Sequence, residues 1–389
     1  MKQEYFILSL LIPDPKSLEN DIDVFLQSLI EELIELWKVG VETYDASTKT
    51  TFQMHATIMW TINDFPAYGN LSGWCTYGRY ACPPCNVDTH SRRLIHGKKF
   101  CYMSHRRFLD STHKYRHDAK SFDGSKELGH KPLARSGSDL LDQLKEIRFG
   151  FGKMSKPADG VRKGTWGKRS IFFELPYWEH HLIKHNLDPM HIETNVCGNL
   201  VHALLNVDKK SKDNLGARCD LQEMKIRPEL WAEKRGSKRT YLPPACFTMS
   251  PYEKNLFYEV LENVKFSEGY ASNVSHCIHK NHKFFGLKSH DYHVLMQQLI
   301  PLAVRGTLPD KVSSVLIEFC SFFQGLYGKS LKVDELELFE EKIALILYEM
   351  EKKISPSFFT IMVHLVIYLA SEAKIAGHVF YRWMYLIER

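Results

Sequence analysis

The apolar residues near the start of the chain follow two different patterns. Residues 5–12 form a nearly continuous apolar run, which is typical of a buried strand, and residues 170–175 show the same pattern farther along. Between residues 20 and 40, apolar side chains recur three and four positions apart, behind the candidate helix caps Asn20 and Asp21. This spacing predicts an amphipathic helix between short strands.

The second half of the chain shows helical spacing almost throughout. The segment predicted at 334–353 carries a heptad-like apolar stripe, which is more typical of a core face than of a partner-binding face. We therefore predict a mainly α-helical carboxyl-terminal domain. The predicted helices are 253–264, 290–302, 311–327, 334–353 and 357–373.

Residues 69–167 differ from the sequence on either side of them. They are rich in Gly, Ser, His, Lys and Arg and contain few long apolar periods, apart from one short helix predicted at 140–147. A segment of this kind has little core to fold around, so a bound metal is a plausible source of its stability. We interpret it as an irregular insertion.

Composition places the protein among ordinary globular chains. Its 389 residues, 44% apolar and 25% charged, suit about two domains. The longest apolar run, residues 358–370, is interrupted by His364 and is too short to span a bilayer, so no membrane partner is expected. The start of the chain lacks a signal pattern, and nine cysteines, an odd number, favour reduced thiols inside a cell.

The net charge of +5 conceals a strong regional asymmetry. Residues 79–169 contain 21 Lys and Arg against 9 Asp and Glu, so the remainder of the chain is net acidic. Aromatic residues are interleaved with these cations, and the combination suits a polyanion, because cations meet phosphates and aromatic faces stack on bases. A solvated surface loop is the alternative, and charge alone does not separate the two.

Two short Cys and His pairs lie inside this basic segment. Two residues separate Cys82 from Cys85, and three separate Cys101 from His105. Because each pair can grip a metal from one short turn, the four side chains fit a tetrahedral Zn²⁺ ion. The alternative is that Cys101 is a small core residue and that the cysteine pair forms an ordinary turn. We expect a structural zinc site.

Asp64 and Glu193 are the candidate catalytic carboxylates. Each lies at the edge of an apolar element, and a residue before a proline favours extended geometry, so Asp64 is predicted at the end of its element. Carboxylates from different elements can hold two Mg²⁺ ions for phosphoryl transfer on a nucleic acid. Most acidic residues are nevertheless solvated surface charges, and His185 and His191, near Glu193, are more typical of structural hydrogen bonds.

Six strings of the chain carry a resemblance to a known family. They are LIPDPKS (11–17), YDAS (44–47), WTINDFPAYG (60–69), ACPPC (81–85), CYMSHRRF (101–108) and HNLDPMHIE (185–193). These strings resemble the transposases of plant CACTA (En/Spm) DNA transposons. Residues 288–384 are similar to the uncharacterised helical domain that follows the transposase domain in the same element-encoded proteins. The resemblance extends along nearly the whole chain.

The resemblance implies an α/β (α+β) RNase H-like core of the DDE type, in which three acidic residues bind two divalent metals. It implies Asp64 as the second acid and Glu193 as the third, with Asp188 as the alternative third acid. The cysteines then belong to a zinc-binding insertion between these acids. In this family the first acid lies upstream of the segment matching residues 1–6, so we expect a truncated copy that is inactive as this chain alone.

The same resemblance predicts the domain order and the function. It predicts a truncated RNase H-like domain at 1–206 with the zinc insertion at 69–167, a charged and helical connection at 207–280, and a truncated helical domain at 281–389. The expected ancestral activity is Mg²⁺-dependent DNA cleavage and strand transfer, with Zn²⁺ structural. Expected partners are DNA at transposon ends and a second copy or another element-encoded protein, in the nucleus of a plant cell. A domesticated, non-catalytic, zinc-dependent DNA-binding protein is the alternative, and a zinc-stabilised scaffold without nucleic acid is the third hypothesis.

Overall fold

The protein is mainly helical, with short strands and single-turn 3₁₀ helices between the helices. The computed structural model describes residues 7–12, 21–145, 147, 165–236, 239–266, 274–279 and 283–384. The helices are α1 (Ile22–Lys38), α2 (Phe65–Ser72), α3 (Gly137–Leu144), α4 (Pro189–Leu204), α5 (Leu215–Glu223), α6 (Pro251–Asn263), α7 (Ser289–Val294), α8 (Ile300–Val304), α9 (Asp310–Leu326), α10 (Val333–Lys353), α11 (Ile361–Leu365) and α12 (Leu369–Ala376). The strands are β1 (Val41–Asp45), β2 (Thr50–Met54), β3 (Thr61–Asn63), β4 (Arg92–Leu94), β5 (Lys99–Cys101), β6 (His185–Leu187), β7 (Glu233–Arg235), β8 (Arg239–Tyr241), β9 (Ile278–His279) and β10 (Lys283–Phe284).

The chain forms two compact units, each assembled from separated stretches of sequence. Unit 1 comprises Met1–Asp88, Leu133–Asp188 and Phe380–Arg389, and unit 2 comprises Thr89–Pro132 and Pro189–Val379. The predicted insertion at 69–167 therefore contributes residues to both units. The predicted domain limits at 206 and 280 both fall within unit 2, and that division of the sequence stays a prediction.

The core of unit 1 forms against the apolar face of α1. Leu26, Ile30 and Leu33 recur at helical spacing and are buried, which confirms the predicted amphipathic helix. Lys168 forms an ion pair of 2.5 Å with Asp23 in the first turn of α1, where the carboxylate also suits the positive end of the helix dipole. The core comprises Leu26, Ile30, Leu33, Ile171, Phe172, Leu175, Tyr177 and Trp178.

Two apolar runs predicted as strands have other structures. Residues 7–12 are irregular and mostly exposed, while residues 5 and 6 lie outside the described part of the chain. In the second run, Ile171–Glu174 forms a 3₁₀ turn that buries Ile171 and Phe172 in the core of unit 1. Both strand predictions were wrong, because an apolar run indicates burial and leaves the backbone conformation open.

One parallel strand pair lies in unit 1. β3 and β6 pair in parallel, with Thr61 opposite His185 and Asn63 opposite Leu187. The other described pairs of named strands are antiparallel, and each described sheet has two strands. The RNase H-like arrangement of the core stays a prediction.

Unit 2 is built from packed helices, as the periodicity of the second half predicts. α9 packs against α8 and α10, α10 packs against α12, and α4 packs against α7 and α11. The apolar stripe of α10 is buried at Leu336, Ile343, Leu347 and Met350, which confirms it as a core face. None of the described helices has both the length and the hydropathy that a bilayer crossing requires.

Two arginines of the basic segment are structural. Arg116 is 6% exposed and donates to the backbone carbonyls of Arg107, Leu109, Glu127 and Gly129. A buried guanidinium with its donors satisfied can take the place of an apolar core in a short irregular segment. The nearby Arg106 is also buried, and its guanidinium donates to the Asp118 carbonyl at 2.8 Å and lies 3.8 Å from the centre of the Phe122 ring.

Candidate functional site

Asp64 and Asp188 lie at corresponding ends of two neighbouring strands. The last paired residues of β3 and β6 are Asn63 and Leu187, and each aspartate follows its strand directly. Because the carboxyl ends of parallel strands meet at the same edge of a sheet, the two carboxylates originate at one edge. In open sheets this edge is where ligands commonly bind.

Asp64 also begins a helix. Its backbone is extended, and its Oδ1 accepts a 2.8 Å hydrogen bond from the backbone N–H of Ala67, so the side chain caps α2. Pro66 lies in the first turn, where its missing N–H costs nothing. The prediction that Asp64 lies at the end of an element is confirmed, and the cap fixes the orientation of the carboxylate.

Asp188, directly after β6, and Asn186, on β6, are both buried polar residues. Asp188 is 3% exposed, and Asn186 is fully buried. Alternation along the strand places these two side chains on one face. The amide oxygen and nitrogen of Asn186 have no hydrogen-bond partner among the described residues, which is rare for a buried amide. Near this edge of the sheet, a side-chain donor and a side-chain acceptor therefore lack hydrogen bonds from the described residues.

His185 serves the packing of this edge. Its Nδ1 lies 2.7 Å from the Thr61 hydroxyl across the strand pair, and its ring packs edge-on to Tyr68, Phe172 and Trp178. Burial, followed by the charges of nearby lysines, lowers the pKa of His185 to about 3. The ring is neutral at physiological pH, as expected for the structural role.

Glu193 lies in unit 2, on α4, and is fully buried. Its Oε2 is 2.8 Å from Nδ1 of His293 on α7, and its Oε1 accepts a 2.9 Å hydrogen bond from the Gln297 amide. Gln297 belongs to the π-helical segment Leu295–Leu299, between α7 and α8. Both carboxylate oxygens are thus held by side chains of the helical unit. The sequence offered no signal for these two partners.

Cys82 and Cys85 form a compact pair of thiols in unit 1. Both are buried, their sulfurs lie within 4.8 Å of each other, and the Cys85 backbone N–H donates to the Cys82 sulfur at 3.4 Å. The backbone N–H of Asn86 donates a 2.9 Å hydrogen bond to the Cys82 carbonyl, which closes the turn, and Asn86 has a left-handed backbone conformation. A turn that gathers two sulfurs in this way is suited to grip one metal ion.

Cys101, in unit 2, has the surroundings of a core residue. It ends β5 opposite Arg92 and is fully buried. Burial raises the pKa of its thiol to about 12. These surroundings match the alternative in which Cys101 is a small core residue.

His105 lies in a buried cluster of unit 2. Its Nδ1 is 2.7 Å from Oε1 of Glu351 on α10, and its Nε2 is 3.2 Å from Nδ1 of His364 on α11. The exposed fractions of the three residues are 0%, 1% and 3%. Sequence reasoning missed His364 as a site residue, although it is the residue that interrupts the apolar run at 358–370.

A second group of metal-ligating side chains lies at the β4–β5 turn. Ligand atoms of His96, Asp220 and Glu223 lie within 4.8 Å of one another. Both Asp220 oxygens accept backbone hydrogen bonds of 2.8 Å, from His96 and Gly97, so this carboxylate ties the turn to α5. Two of the three residues are exposed, and the group is explained as a structural contact.

The aromatic residues of the basic segment are largely used within the fold. In unit 2, Tyr115 stacks on Tyr348 with ring centres 4.5 Å apart, and Phe122 lies under Arg106. A bound polyanion would therefore contact the exposed cations of this segment more readily than its aromatic rings. In the Thr89–Pro132 part of unit 2 they include Arg92, Arg93, Lys98, Lys114, Lys120, Lys126 and Lys131.

Comparison with known families accounts for two parts of the chain. Residues 1–147 match the sequence model of the transposase family tnp2. This region is similar to that family. The tnp2 region contains Asp64, the cysteine pair, Cys101 and His105, and the chain is transposable-element-derived on this evidence. Residues 326–389, which include Glu351 and His364, match a domain of unknown function, DUF4218. No curated protein and no solved structure matches the chain.

Proposed function

We propose that the ancestral activity of this chain is DNA strand cleavage and transfer at a carboxylate site formed by Asp64 and Asp188. The observation that supports this most directly is the position of the two carboxylates at one edge of the β3–β6 pair, with Asp64 inside the tnp2 region. Asp64 is oriented by its helix cap, and Asp188 shares a strand face with a buried amide.

The donor set at this edge fits Mg²⁺. Mg²⁺ prefers carboxylate and amide oxygens, and Asp64, Asp188 and Asn186 offer such atoms. When bound, the ion supplies activation of the attacking hydroxyl and stabilisation of the leaving oxygen in phosphoryl transfer. The chain's own contribution is to hold the carboxylates, through the strand pairing and the α2 cap.

Asp188 is a better candidate for the third acid than Glu193. Asp188 leaves a strand beside the strand that carries Asp64. Both oxygens of Glu193 are instead hydrogen-bonded by His293 and Gln297 in unit 2, and coordination of a metal would compete with these bonds. The proposal therefore takes Asp188, the alternative third acid of the sequence analysis, in place of Glu193.

Metal titration tests this assignment on the full chain. Mn²⁺ replaces Mg²⁺ as a paramagnetic probe, and its dissociation constant is measured for the variants Asp64→Asn, Asp188→Asn and Glu193→Gln. We expect the first two to weaken binding about tenfold or more, equal to roughly 1.4 kcal/mol, and the third to leave it unchanged. Asp64→Asn is informative because asparagine keeps the helix cap.

A surface acid provides the control for this titration. Asp142 is a carboxylate of unit 1 that is 64% exposed, so Asp142→Asn is expected to bind Mn²⁺ as the unmodified protein does. If Asp64→Asn and Asp188→Asn also bind as the unmodified protein does, the assignment of these acids is wrong.

DNA is the proposed partner, bound through the exposed cations of Thr89–Pro132. Fluorescence anisotropy with a duplex measures the affinity, which should fall steeply with added salt because bound cations release counterions. The variant with Lys98, Lys120 and Lys126 changed to Gln is expected to bind more weakly. A matched change of the exposed Lys311, Lys329 and Lys332 should have a smaller effect. Equal losses in both variants would contradict a localised DNA-binding surface.

A non-catalytic, zinc-dependent DNA-binding protein is the second candidate function. The buried thiol pair of Cys82 and Cys85 favours it, because two sulfurs in one tight turn suit a structural zinc. The two functions differ in one readout. The second one requires that removing zinc abolish DNA binding while the Asp64→Asn variant retains it.

Both functions imply that the protein is located in the nucleus, and a fluorescent fusion tests this. Association with a second copy or with another element-encoded protein is a separate proposal, which sedimentation tests.

A further inference from the structure

We propose that His364, in the DUF4218 region, binds a zinc ion together with His105, and that Glu351 positions His105 for this role. The inference deepens the zinc part of the proposed function and depends on that part alone. It assigns a chemical task to the helical region that the family description leaves without one. It also names His364, in place of Cys101, as the residue that shares an ion with His105.

The distance between the two rings supports a shared ion. His105 Nε2 and His364 Nδ1 are 3.2 Å apart. Two imidazole nitrogens, each about 2.0–2.1 Å from a tetrahedral zinc, lie roughly 3.3 Å from each other. The two nitrogens therefore already have the separation of two ligands on one ion.

The hydrogen bond at the far side of His105 fixes which nitrogen faces His364. A carboxylate only accepts hydrogen bonds, so the 2.7 Å contact with Glu351 places the proton on Nδ1. Nε2 then carries the lone pair that a metal requires. A carboxylate behind a metal-binding histidine is the usual arrangement, since it fixes the ring and raises its basicity.

The charge of Glu351 supports a cation at this place. The carboxylate is 1% exposed, and its Oε2 has no hydrogen-bond partner among the described residues. Among the described residues the His105 ring is its one side-chain partner, and this pair carries opposite charges only if the ring is protonated on both nitrogens. Arg227 reaches only the backbone carbonyl of Glu351, at 3.2 Å. A buried carboxylate is costly without a nearby positive charge, and a divalent ion on His105 supplies one.

Aromatic rings enclose the histidine pair. The ring of Phe359 lies 6.1 Å from that of His105, and the rings of Tyr102, Phe108 and Tyr368 lie 6.0 to 6.2 Å from that of His364. A site walled in this way excludes water and favours a structural ion over a catalytic one, because a catalytic ion needs an open position.

The alternative is a hydrogen bond between the two imidazoles without an ion. It explains the same 3.2 Å distance either with a proton on His364 Nδ1 or with a doubly protonated His105 that pairs with Glu351 and donates from Nε2 to His364 Nδ1. The two arrangements differ in whether zinc is present and in what surrounds it.

X-ray absorption at the zinc edge of the unmodified full chain distinguishes them without any substitution. We expect scattering from two imidazoles at about 2.0–2.1 Å. The ligand set predicted from the sequence contains one imidazole and three sulfurs, so a spectrum of that kind overturns the proposal while leaving the zinc itself in place. Protein purified without zinc, and unable to take up Zn²⁺ or Co²⁺, overturns both.

Substitutions give an independent test. Zinc per chain is measured for His364→Ala, His105→Ala and Cys101→Ser, with circular dichroism to show that each variant is folded. We expect the two histidine variants to lose most of the zinc and Cys101→Ser to keep it. Should His364→Ala fail to fold, Co²⁺ absorption of His364→Cys replaces it, with a new sulfur-to-cobalt charge-transfer band expected. Full zinc content in a folded His364→Ala variant, or an unchanged cobalt spectrum in His364→Cys, contradicts the proposal.

Discussion

Two buried glutamates of unit 2 each contact a histidine, and they differ in the groups that contact their carboxylate oxygens. Glu193 has a partner on each oxygen, and His293 is 25% exposed at the side chain, so water reaches part of that pair. Glu351 uses one oxygen for both the backbone N–H and the ring of His105, and both side chains of this pair are fully buried.

The hydrogen-bond network around Glu193 is therefore complete, whereas the network around Glu351 is incomplete. The Glu193 cluster satisfies both oxygens with protein donors, which is sufficient for a structural role. The Glu351 cluster places a carboxylate in a dry region where one of its oxygens has no partner among the described residues, an arrangement that is costly without a nearby positive charge. The two glutamate–histidine pairs are therefore expected to respond differently to metal removal and to substitution.

Removal of metal is expected to have the largest effect and to act on the Glu351 cluster. For a structural zinc, metal binding is part of the folding free energy, so a chelator such as dipicolinate should lower the free energy of unfolding by several kcal/mol. Urea unfolding with and without the chelator measures this, and added Zn²⁺ should restore the original midpoint. An unchanged midpoint would show that the Glu351 cluster is complete without an ion.

Acidification tests His185 of unit 1, a buried histidine that has no carboxylate partner among the described residues. Its pKa is about 3 in the folded chain, because burial and then the charges of Lys184 and Lys168 disfavour the protonated form, and about 6.5 when unfolded. Between these values the unfolded state binds more protons, so the free energy of unfolding falls as pH drops from 6.5 towards 3, by roughly 3–5 kcal/mol. Urea midpoints at pH 7, 5 and 4 measure the slope. The variant His185→Gln should have a flatter profile, and equal slopes would disprove the assignment.

Glu351→Gln removes the charge and keeps the shape of the side chain. With zinc on His105, loss of the positioning carboxylate should weaken zinc binding about 10- to 100-fold. Competition with a zinc indicator dye gives the affinity. Without zinc, the same change would affect only the contact between Glu351 and His105. The zinc affinity therefore decides between the two descriptions of this cluster.

Glu193→Gln should have the smallest effect. The amide can still accept from the Gln297 side chain, and the loss of the charge-assisted bond to His293 should cost about 1–2 kcal/mol. Urea unfolding measures this cost, while zinc content should stay the same. A Glu193→Gln variant that loses metal would remove the distinction between the two clusters.

Long helices could be predicted from the sequence because their signal is local. The apolar spacing of α1 and α10 is repeated over several turns, and each predicted core face is buried. The run at 170–175 was misjudged because four to six apolar residues bury equally well in a strand or in a 3₁₀ turn. Asp64 could be placed at the end of an element because a proline follows two residues later, and this position became its helix cap.

The contacts of the candidate sites could be predicted only in part. His105 and His364 are 259 residues apart in sequence, and His105 and Glu351 are 246 apart, so no local pattern joins them. Arg116 was counted among the cations for DNA, because only the folded chain shows that backbone carbonyls surround its guanidinium. Long-range pairing of polar groups is set by tertiary structure, and hydrophobic periodicity carries no information on it.

The π-helical turn at Leu295–Leu299 makes this region sensitive to the length of the chain. A π turn holds one residue more than the α-helical turn it replaces, so deleting one residue there would restore a regular helix. One residue corresponds to about 100° of rotation around the axis. After such a deletion His293 and Gln297 could not both face Glu193. Related chains should therefore tolerate substitutions in this turn more readily than insertions or deletions.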